Sequence, residues 1–406
     1  MKYIVLLGDG MGDYPLAELG EKTPLQVART PHMDRLAREG TVGLVDTIPE
    51  GFTPGSDVAN LSVLGYNPHE FYSGRGPLEA ANMGIHLGPD DVAFRCNLVT
   101  LSEDTDGRMD DFTAGHISSA EAKEIILTLQ AEMGDESFQL YPGVGYRHLL
   151  VWRGGDASPK TTPPHDITGR VTAPYLPTGG KSEVLLDLMG RAKSILQNHP
   201  VNRERLAKGK KAANAIWLWG QGKAPAMVPL TEKYELRGGV ISAVDLLNGI
   251  GVYAGLEVLR VEGATGYIDT NYRGKGEKAL ECLRDRDFVF VHVEAPDEMG
   301  HEGNVQGKIK AIEDFDEKVV GTVLKGLTAF DAWRILVLCD HPTPIVCRTH
   351  VADPSPFVVL SSETGENRKN GAAYSESEAK KSGIVVSPGY RLMELFIRDW
   401  RRFVEA

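Results

Sequence analysis

The chain has 406 residues, 44 Lys plus Arg against 56 Asp plus Glu, a net charge of −12 and 42% hydrophobic residues. At roughly 150 residues per domain this predicts two to three domains with enough core to fold without disulfides. The acidic balance excludes a broad basic surface for nucleic acid or an anionic membrane, and no apolar run is long enough to read as a membrane span.

The first element is the apolar strand YIVLLGD at 3–9, too short for a signal-peptide core, so a cytoplasmic protein is expected. Cys96, Cys282, Cys339 and Cys347 form no CxxC pair. That spacing suits a reducing compartment and argues against thiolate metal ligands. Next, Gly55 permits a sharp turn and Ser56 opens the helical run DVANLSVLG, which places Ser56 at the N-cap position. A helix N-terminus also stabilises a phosphate through its N–H groups and dipole. Ser56 therefore reads either as a cap or as a serine able to carry a phosphoryl group.

From 78 to 210 the pattern changes to charged helical stretches such as SAEAKEIILTLQAEMG, short strands such as YRHLLVWRGG and the Pro-rich TTPPHDITGR. This predicts an α+β domain, 78–210, inserted into a domain made of 1–77 and 211–406. The latter contributes AIWLWGQG (215–222), GGVISAV (238–244), FVFVHVE (288–294) and RILVLCD (334–340). Near-continuous apolar runs mark strands buried on both faces, so these predict a doubly wound, mostly parallel α/β sheet. Ile309, Ile312, Phe315, Val319 and Val323 recur at helical spacing after Gly303-Asn304.

In an open α/β sheet ligands bind beyond the carboxyl ends of the strands. Three runs end in acids there: Asp9, Asp340 with His341, and Glu294 with Asp297 and His301. Any one could cap the next helix, but together they suit Mn²⁺, Zn²⁺ or Mg²⁺, and their number fits a pair of ions. Gly300 and Gly303 flank His301, which predicts a loop there, and the spacing is not HExxH. His350, in CRTHVADPSP, is either a solvated loop histidine or a further ligand.

GDGMGD (8–13), TPGSDVANLSVLGY (53–66), VEAPDEMGHEGN (293–304), CDHPTP (339–344) and THVADPSP (349–356), in this order, resemble the cofactor-independent phosphoglycerate mutases of the alkaline phosphatase superfamily, in their shorter, archaeal-type branch. The resemblance covers nearly the whole length. It implies an alkaline-phosphatase-like fold and interconversion of 3-phosphoglycerate and 2-phosphoglycerate without 2,3-bisphosphoglycerate. It also implies Ser56 as the nucleophile that becomes phosphoserine. Asp9, Asp340, His341 and Ser56 would hold one divalent ion and Asp297, His301 and His350 the other, with Mn²⁺ expected first and Mg²⁺, Zn²⁺ or Co²⁺ as alternatives.

The expected partner is a small phosphorylated hydroxy acid, which needs cationic groups; Arg suits carboxylate and phosphate through its planar fork. The insert and its border offer Arg75, Arg95, Arg147, Arg153 and Arg170, with His116, His148, His165 and Asp166. Arg95, His116, Arg147 and Arg170 are the first candidates, from their polar, Gly-rich or strand-end settings, and WGQG (219–222) reads as a structural turn. Neither GxxxxGK[ST] nor a GxGxxG loop is present. Two alternatives keep the same metals and serine: phosphotransfer to another small acceptor, as in a homoserine-kinase-like role, or metal-dependent phosphatase activity.

Overall fold

Among the described residues thirteen strands fall into two separate sheets. In chain order they are β1 (Lys2–Gly8), β2 (Thr41–Val45), β3 (Val92–Leu101), β4 (Met109–Asp111), β5 (Phe138–Tyr141), β6 (Arg147–Trp152), β7 (Ala215–Gly222), β8 (Gly238–Ile241), β9 (Glu257–Val258), β10 (Phe288–Val293), β11 (Trp333–Leu338), β12 (Ser355–Ser361) and β13 (Val385–Val386). The structure, a computed structural model, describes residues 1–102, 107–363 and 372–398. None of its helices is long and apolar enough to cross a membrane.

The chain divides into two compact units, Met1–Tyr72 with Ala226–Ala406, and Ser73–Pro225. Sequence patterning placed the borders at 77/78 and 210/211. The shift arises because the helix Arg75–Asn82 and strand β7 both pack on β3 and so belong to the second unit.

Unit 1 holds an eight-stranded sheet in the order β13-β2-β12-β11-β1-β10-β8-β9. Its pairings are parallel except for those that β12 makes with β11 and β2. Val5, Leu7, Phe290 and Leu336 on one face are as fully buried as Ile4, Leu6, Val291 and Val337 on the other, which is why these strands read as continuous apolar runs. Register then builds the site: Gly8 lies opposite Val293 and Leu7 opposite Leu338. Asp9, Glu294 and the Cys339-Asp340 segment consequently leave three adjacent strands at one level. The helical pattern after Gly303 becomes Val305–Asp314, a π-helical turn at Phe315–Val320 and Gly321–Gly326, with Ile312, Phe315, Val319 and Val323 buried.

Unit 2 is built on an antiparallel five-stranded sheet, β4-β3-β6-β5 with β7 also paired to β3. The helices Ser119–Met133 and Ser182–Leu196 share a core with it through Ile125, Leu129, Leu188, Phe94, Leu98, Ile216 and Leu218. AIWLWGQG was expected in the parallel sheet. It is instead β7, with Ile216 and Leu218 in that core and Trp217 and Trp219 in a second cluster on Val99 and Met109. Burial on both faces gives an antiparallel strand the continuous apolar pattern of a parallel one.

Candidate active site

The three strand ends gather the acids and histidines of unit 1 into two groups. In the first, His341 Nε2 lies 3.4 Å from Asp9 Oδ1 and 3.6 Å from Asp340 Oδ2, all three residues being fully buried. In the second, His301 Nε2 lies 3.1 Å from Asp297 Oδ2 and 2.9 Å from His350 Nε2, and His350 Nε2 is 3.5 Å from Asp297 Oδ1. The rings of His341 and His350 stand 4.2 Å apart, so the groups are neighbours. His301 does not sit in a loop, as Gly300 and Gly303 had suggested. Asp297 and His301 share the helix Ala295–Glu302 at i,i+4. Gly303 is its left-handed cap (φ 70°), and at Gly300 a Cβ would fall 2.5 Å from the Thr343 carbonyl oxygen.

The hydrogen bonds behind the histidines fix which nitrogen faces inward. Thr343 Oγ1 donates to Asp297 Oδ1 and so accepts from His341 Nδ1 at 3.3 Å. His301 Nδ1 donates to the Arg348 carbonyl at 3.1 Å. In the neutral rings both Nε2 atoms would turn lone pairs toward carboxylates, whereas with no cation present His301 Nε2 holds a proton shared with Asp297; Asp9 Oδ1 is buried with no hydrogen-bond partner. Lone pairs and carboxylate oxygens converging out of water repel unless a cation stands among them, so this donor set fits divalent metal ions.

Ser56 Oγ stands 3.1 Å from His341 Nε2, on the side of the first group. The helix Ser56–Val63 begins there, but its N-cap is Gly55 with extended backbone (φ 179°), not Ser56 as the pattern suggested. Its hydroxyl is thus not spent on capping, and the half-buried side chain faces the buried carboxylates. Asn60, one turn on, donates to the Ser56 carbonyl at 2.9 Å and to Asp340 Oδ2 at 2.8 Å, tying the helix to the ligand loop. The i,i+4 spacing from Ser56 was the signal that could have found Asn60.

Two features lock the loops together. Gly10 (φ 61°) passes so near Asp297 that a Cβ would lie 2.5 Å from Asp297 Oδ1, and its N–H donates to Asp340 Oδ1 at 3.2 Å. Fully buried Lys308 donates to Asp13 Oδ2 at 2.7 Å, to the Thr343 carbonyl at 2.8 Å and to the Gly12 carbonyl at 3.0 Å. It crosslinks the segment carrying Asp9 to the one carrying Asp340 and His341.

The titration shifts follow from this crowding. Burial, then Asp340, raises the Asp9 carboxyl well above the usual range, and burial with Asp297 pushes Glu294 up to about 8. Burial also opposes ionisation of Asp297, but the bonds to His301 and His350 outweigh it and hold its carboxyl well down. The same bond raises His301 to about 9, while burial lowers His341 and His292. Opposed shifts packed into one cleft are characteristic of functional sites. His292, missed because it lies inside the apolar run FVFVHV, stands with Nε2 2.8 Å from Asp9 Oδ2.

Unit 2 brings together some of its candidates. Arg95, nearly buried on β3, lies 4.4 Å above the Trp219 ring, with Nε 3.0 Å from Glu79 Oε1. Burial lowers its pKa, and Arg75 and Arg147 are the cations that act on it most. Arg75 reaches the same indole at 6.0 Å, and His165 packs edge-on to it at 5.3 Å with Asp166 3.6 Å away. Trp219, read from sequence as part of a structural turn, is thus the platform of an arginine cluster. Exposed Arg147 lies over the Tyr146 ring at 5.9 Å. Exposed His116 (φ 49°) and exposed Arg170, which donates to the Tyr175 hydroxyl at 3.2 Å, make no hydrogen bond or ion pair with Arg95 or Arg147 among the described residues. Arg153 is committed to Asp91, and His148 is buried and accepts from Gly143 N at 3.0 Å.

The family model described as 2,3-bisphosphoglycerate-independent phosphoglycerate mutase matches residues 37–202. A Geobacter sulfurreducens protein, named as a probable enzyme of that kind, is 58% identical over 98% of this chain and 100% of its own length. A Methanosarcina barkeri protein with the same name is 52% identical over 98% and 100%. Among solved structures, a Pyrococcus horikoshii protein superposes with TM-score 0.83 at 29% identity, covering 100% of this chain and 97% of its own. A cofactor-independent phosphoglycerate mutase from Thermoplasma acidophilum gives 0.68 at 30% identity over 98% and 99%.

Proposed function

The chain belongs to the 2,3-bisphosphoglycerate-independent phosphoglycerate mutases, and we propose that it interconverts 3-phosphoglycerate and 2-phosphoglycerate by passing the phosphoryl group through Ser56, with two divalent ions and no bisphosphoglycerate. The observation that carries this reading is Ser56 Oγ, uncommitted to capping and 3.1 Å from His341 Nε2 beside two neighbouring groups of inward-facing donors. Asp9, Asp340, His341 and Ser56 would hold one ion and Asp297, His301 and His350 the other; the mixed nitrogen and oxygen set suits Mn²⁺, with Mg²⁺, Zn²⁺ and Co²⁺ also compatible. Bound there, the ions supply the charge that activates a serine hydroxyl and offsets a phosphoryl group.

The chain's own residues do the rest. The N-terminus of the helix Ser56–Val63 directs its dipole at the hydroxyl, so negative charge added to Ser56 is stabilised where it forms. Asn60 and Lys308 keep the nucleophile and the ligand loops from drifting. Arg95 and Arg147, with His116 and Arg170 as the further candidates of unit 2, bind the carboxylate and phosphate of the substrate. The stacked, ion-paired Arg95 is the most preorganised of these groups. A cytoplasmic setting suits four cysteines that are all unpaired.

The test supplies 3-phosphoglycerate and Mn²⁺ without bisphosphoglycerate and follows phosphorus NMR. Accumulating 2-phosphoglycerate with little free phosphate is expected. Inorganic phosphate as the main product would replace the mutase reading with hydrolysis, and no reaction until another hydroxyl acceptor is added would replace it with a different transferase.

A further inference from the structure

Three consecutive residues of unit 2, Ala114, Gly115 and His116, have left-handed backbone, with φ of 50°, 64° and 49°. Glycine enters that region freely; alanine and histidine do so at a cost, and such strain persists only where the surroundings impose it. The exposed His116 side chain adds no core packing that would repay it. What holds the turn is a cation from the interior. Arg205, on the helix Pro200–Ala207 and 1% exposed, donates through Nη2 to the Ala114 carbonyl at 2.6 Å and the Gly115 carbonyl at 3.4 Å. Its Nε donates to the Lys211 carbonyl at 2.8 Å and its Nη1 to Glu121 Oε2 at 2.9 Å, so the guanidinium is fixed on every edge. Thr113 closes the turn from within: its hydroxyl donates to Asp111 Oδ1 at 2.6 Å and accepts from His116 N at 3.0 Å. The turn adjoins the arginine centre. Gly145 N donates to Ser119 Oγ at 3.0 Å, and Phe112, next to Thr113, meets Tyr146, the ring over which Arg147 lies, at 5.8 Å and His165 at 6.0 Å.

We infer that Arg205 is a positioning residue: it imposes the left-handed turn that sets His116 beside the Arg147 segment, and so fixes the place of the imidazole relative to a bound substrate. Arg205 touches no substrate in this role, which rests on the reading of unit 2 as the part that binds 3-phosphoglycerate. A lysine at 205 could keep the pair with Glu121 but has no planar fork to reach both turn carbonyls and Lys211 together.

The experiment measures KM for 3-phosphoglycerate in the full-length, Mn²⁺-loaded wild type, Arg205→Lys, His116→Ala and the double variant. With Mg²⁺ in place of Mn²⁺, NMR follows the His116 ring signals, assigned by their loss in His116→Ala, as 3-phosphoglycerate is added. Each single variant should raise KM by about fivefold or more, and the double variant by no more than His116→Ala alone, because Arg205 acts through the imidazole. The ligand should move the His116 signals in the wild type and not in Arg205→Lys. If Arg205→Lys does not fold, Gly115→Ala disturbs the same contact from the other side, since its Cβ would lie 3.3 Å from Arg205 Nη2 and 3.1 Å from Lys211 Cβ, and the same pattern is expected. A wild-type KM in the folded variant, or an equal fold-rise with and without His116, overturns the role of Arg205, as do His116 signals that 3-phosphoglycerate leaves unmoved in the wild type. If the wild type forms no 2-phosphoglycerate while the ligand still moves His116 only when Arg205 is present, the mutase reading fails and the positioning role stands.

Discussion

Asp9, Asp297 and Asp340 meet three histidines beyond the strand ends of unit 1, whereas Arg75, at the start of the helix Arg75–Asn82, lies near Arg95 and Arg147 of the unit 2 sheet, with Arg75 and Arg95 against Trp219. Both units hold like charges close together, the acids of unit 1 and Arg95 of unit 2 out of water but Arg147 exposed, and each offsets the cost differently. In unit 1 the carboxylates come off in-register parallel strands with histidine lone pairs turned among them, a geometry completed by cations. In unit 2 the guanidinium of Arg95 is carried by Glu79 and an aromatic face. In the reading proposed above, unit 1 would supply the metal-assisted step and the arginines of unit 2 would take the anionic substrate.

The sharpest way to break this division is Ser56→Ala. If unit 1 performs the chemistry, turnover measured by 2-phosphoglycerate formation falls by about 10³-fold or more, because the group that takes the phosphoryl is gone, while bound Mn²⁺ is retained by the remaining ligands. Turnover near the wild-type rate would remove Ser56 as nucleophile. Loss of both ions with the hydroxyl would instead assign it a mainly ligating role.

A smaller effect tests unit 2. Arg95→Lys keeps the charge beside Glu79 but loses the planar stack on Trp219 and the bidentate fork. It should lower kcat/KM for 3-phosphoglycerate by about 10- to 100-fold without changing the Mn²⁺ count, whereas Arg153→Lys, altering a residue committed to Asp91, should leave kcat/KM within about twofold. Equal effects of the two substitutions would dissolve the distinction between a binding arginine and a structural one.

Much of unit 1 was legible because its central strands are buried on both faces, so β1, β10 and β11 announce themselves as apolar runs and their polar endings as site residues. That same rule misplaced β7, since an antiparallel strand sandwiched between two clusters carries the same pattern. His292 was invisible for a related reason: a polar side chain serving Asp9 sits inside a strand that otherwise reads as core. Gly300 and Gly303 suggested a loop at His301. One is instead required by the approach of Thr343 and the other by a left-handed cap, and neither interrupts the helix. In unit 2 the arginines could be enumerated but not ranked, because what singles out Arg95 is Trp219, more than a hundred residues away in the chain and brought beside it by the β3–β7 pairing.

The units should also differ in acid. His148 on β6 is 2% exposed, accepts from Gly143 N, and is pushed down to about 3 by burial. Its folded pKa is depressed, so the unfolded chain takes the proton first. The stability contributed by neutral His148 is complete above the unfolded value near 6.5 and is lost as pH falls toward 3. By pH 5 the loss is about 2 kcal/mol. Urea unfolding followed by tryptophan fluorescence, three of the five tryptophans (Trp152, Trp217 and Trp219) lying in unit 2, should show the midpoint falling between pH 7 and 5 in the wild type and falling less in His148→Gln. Parallel slopes would mean that other groups carry the acid sensitivity.

The smallest effect compares two serines at two helix starts. Ser118 caps the helix Ser119–Met133 of unit 2 in a reciprocal box: its Oγ accepts from Glu121 N at 3.3 Å, and Glu121 Oε2 accepts from Ser118 N at 3.1 Å. Glu121 also accepts from buried Arg205 at 2.9 Å, so the acid stays anchored when the serine changes. Ser118→Ala should therefore cost about 1 kcal/mol, the usual value of an N-cap, with unchanged mutase turnover. Ser56, preceded by a capping glycine, should behave in the opposite way: its alanine variant loses turnover and shifts stability by less than about 0.5 kcal/mol. A stability loss in Ser56→Ala as large as that in Ser118→Ala would mean that its hydroxyl supports the helix after all, and would weaken the reading of it as a group reserved for chemistry.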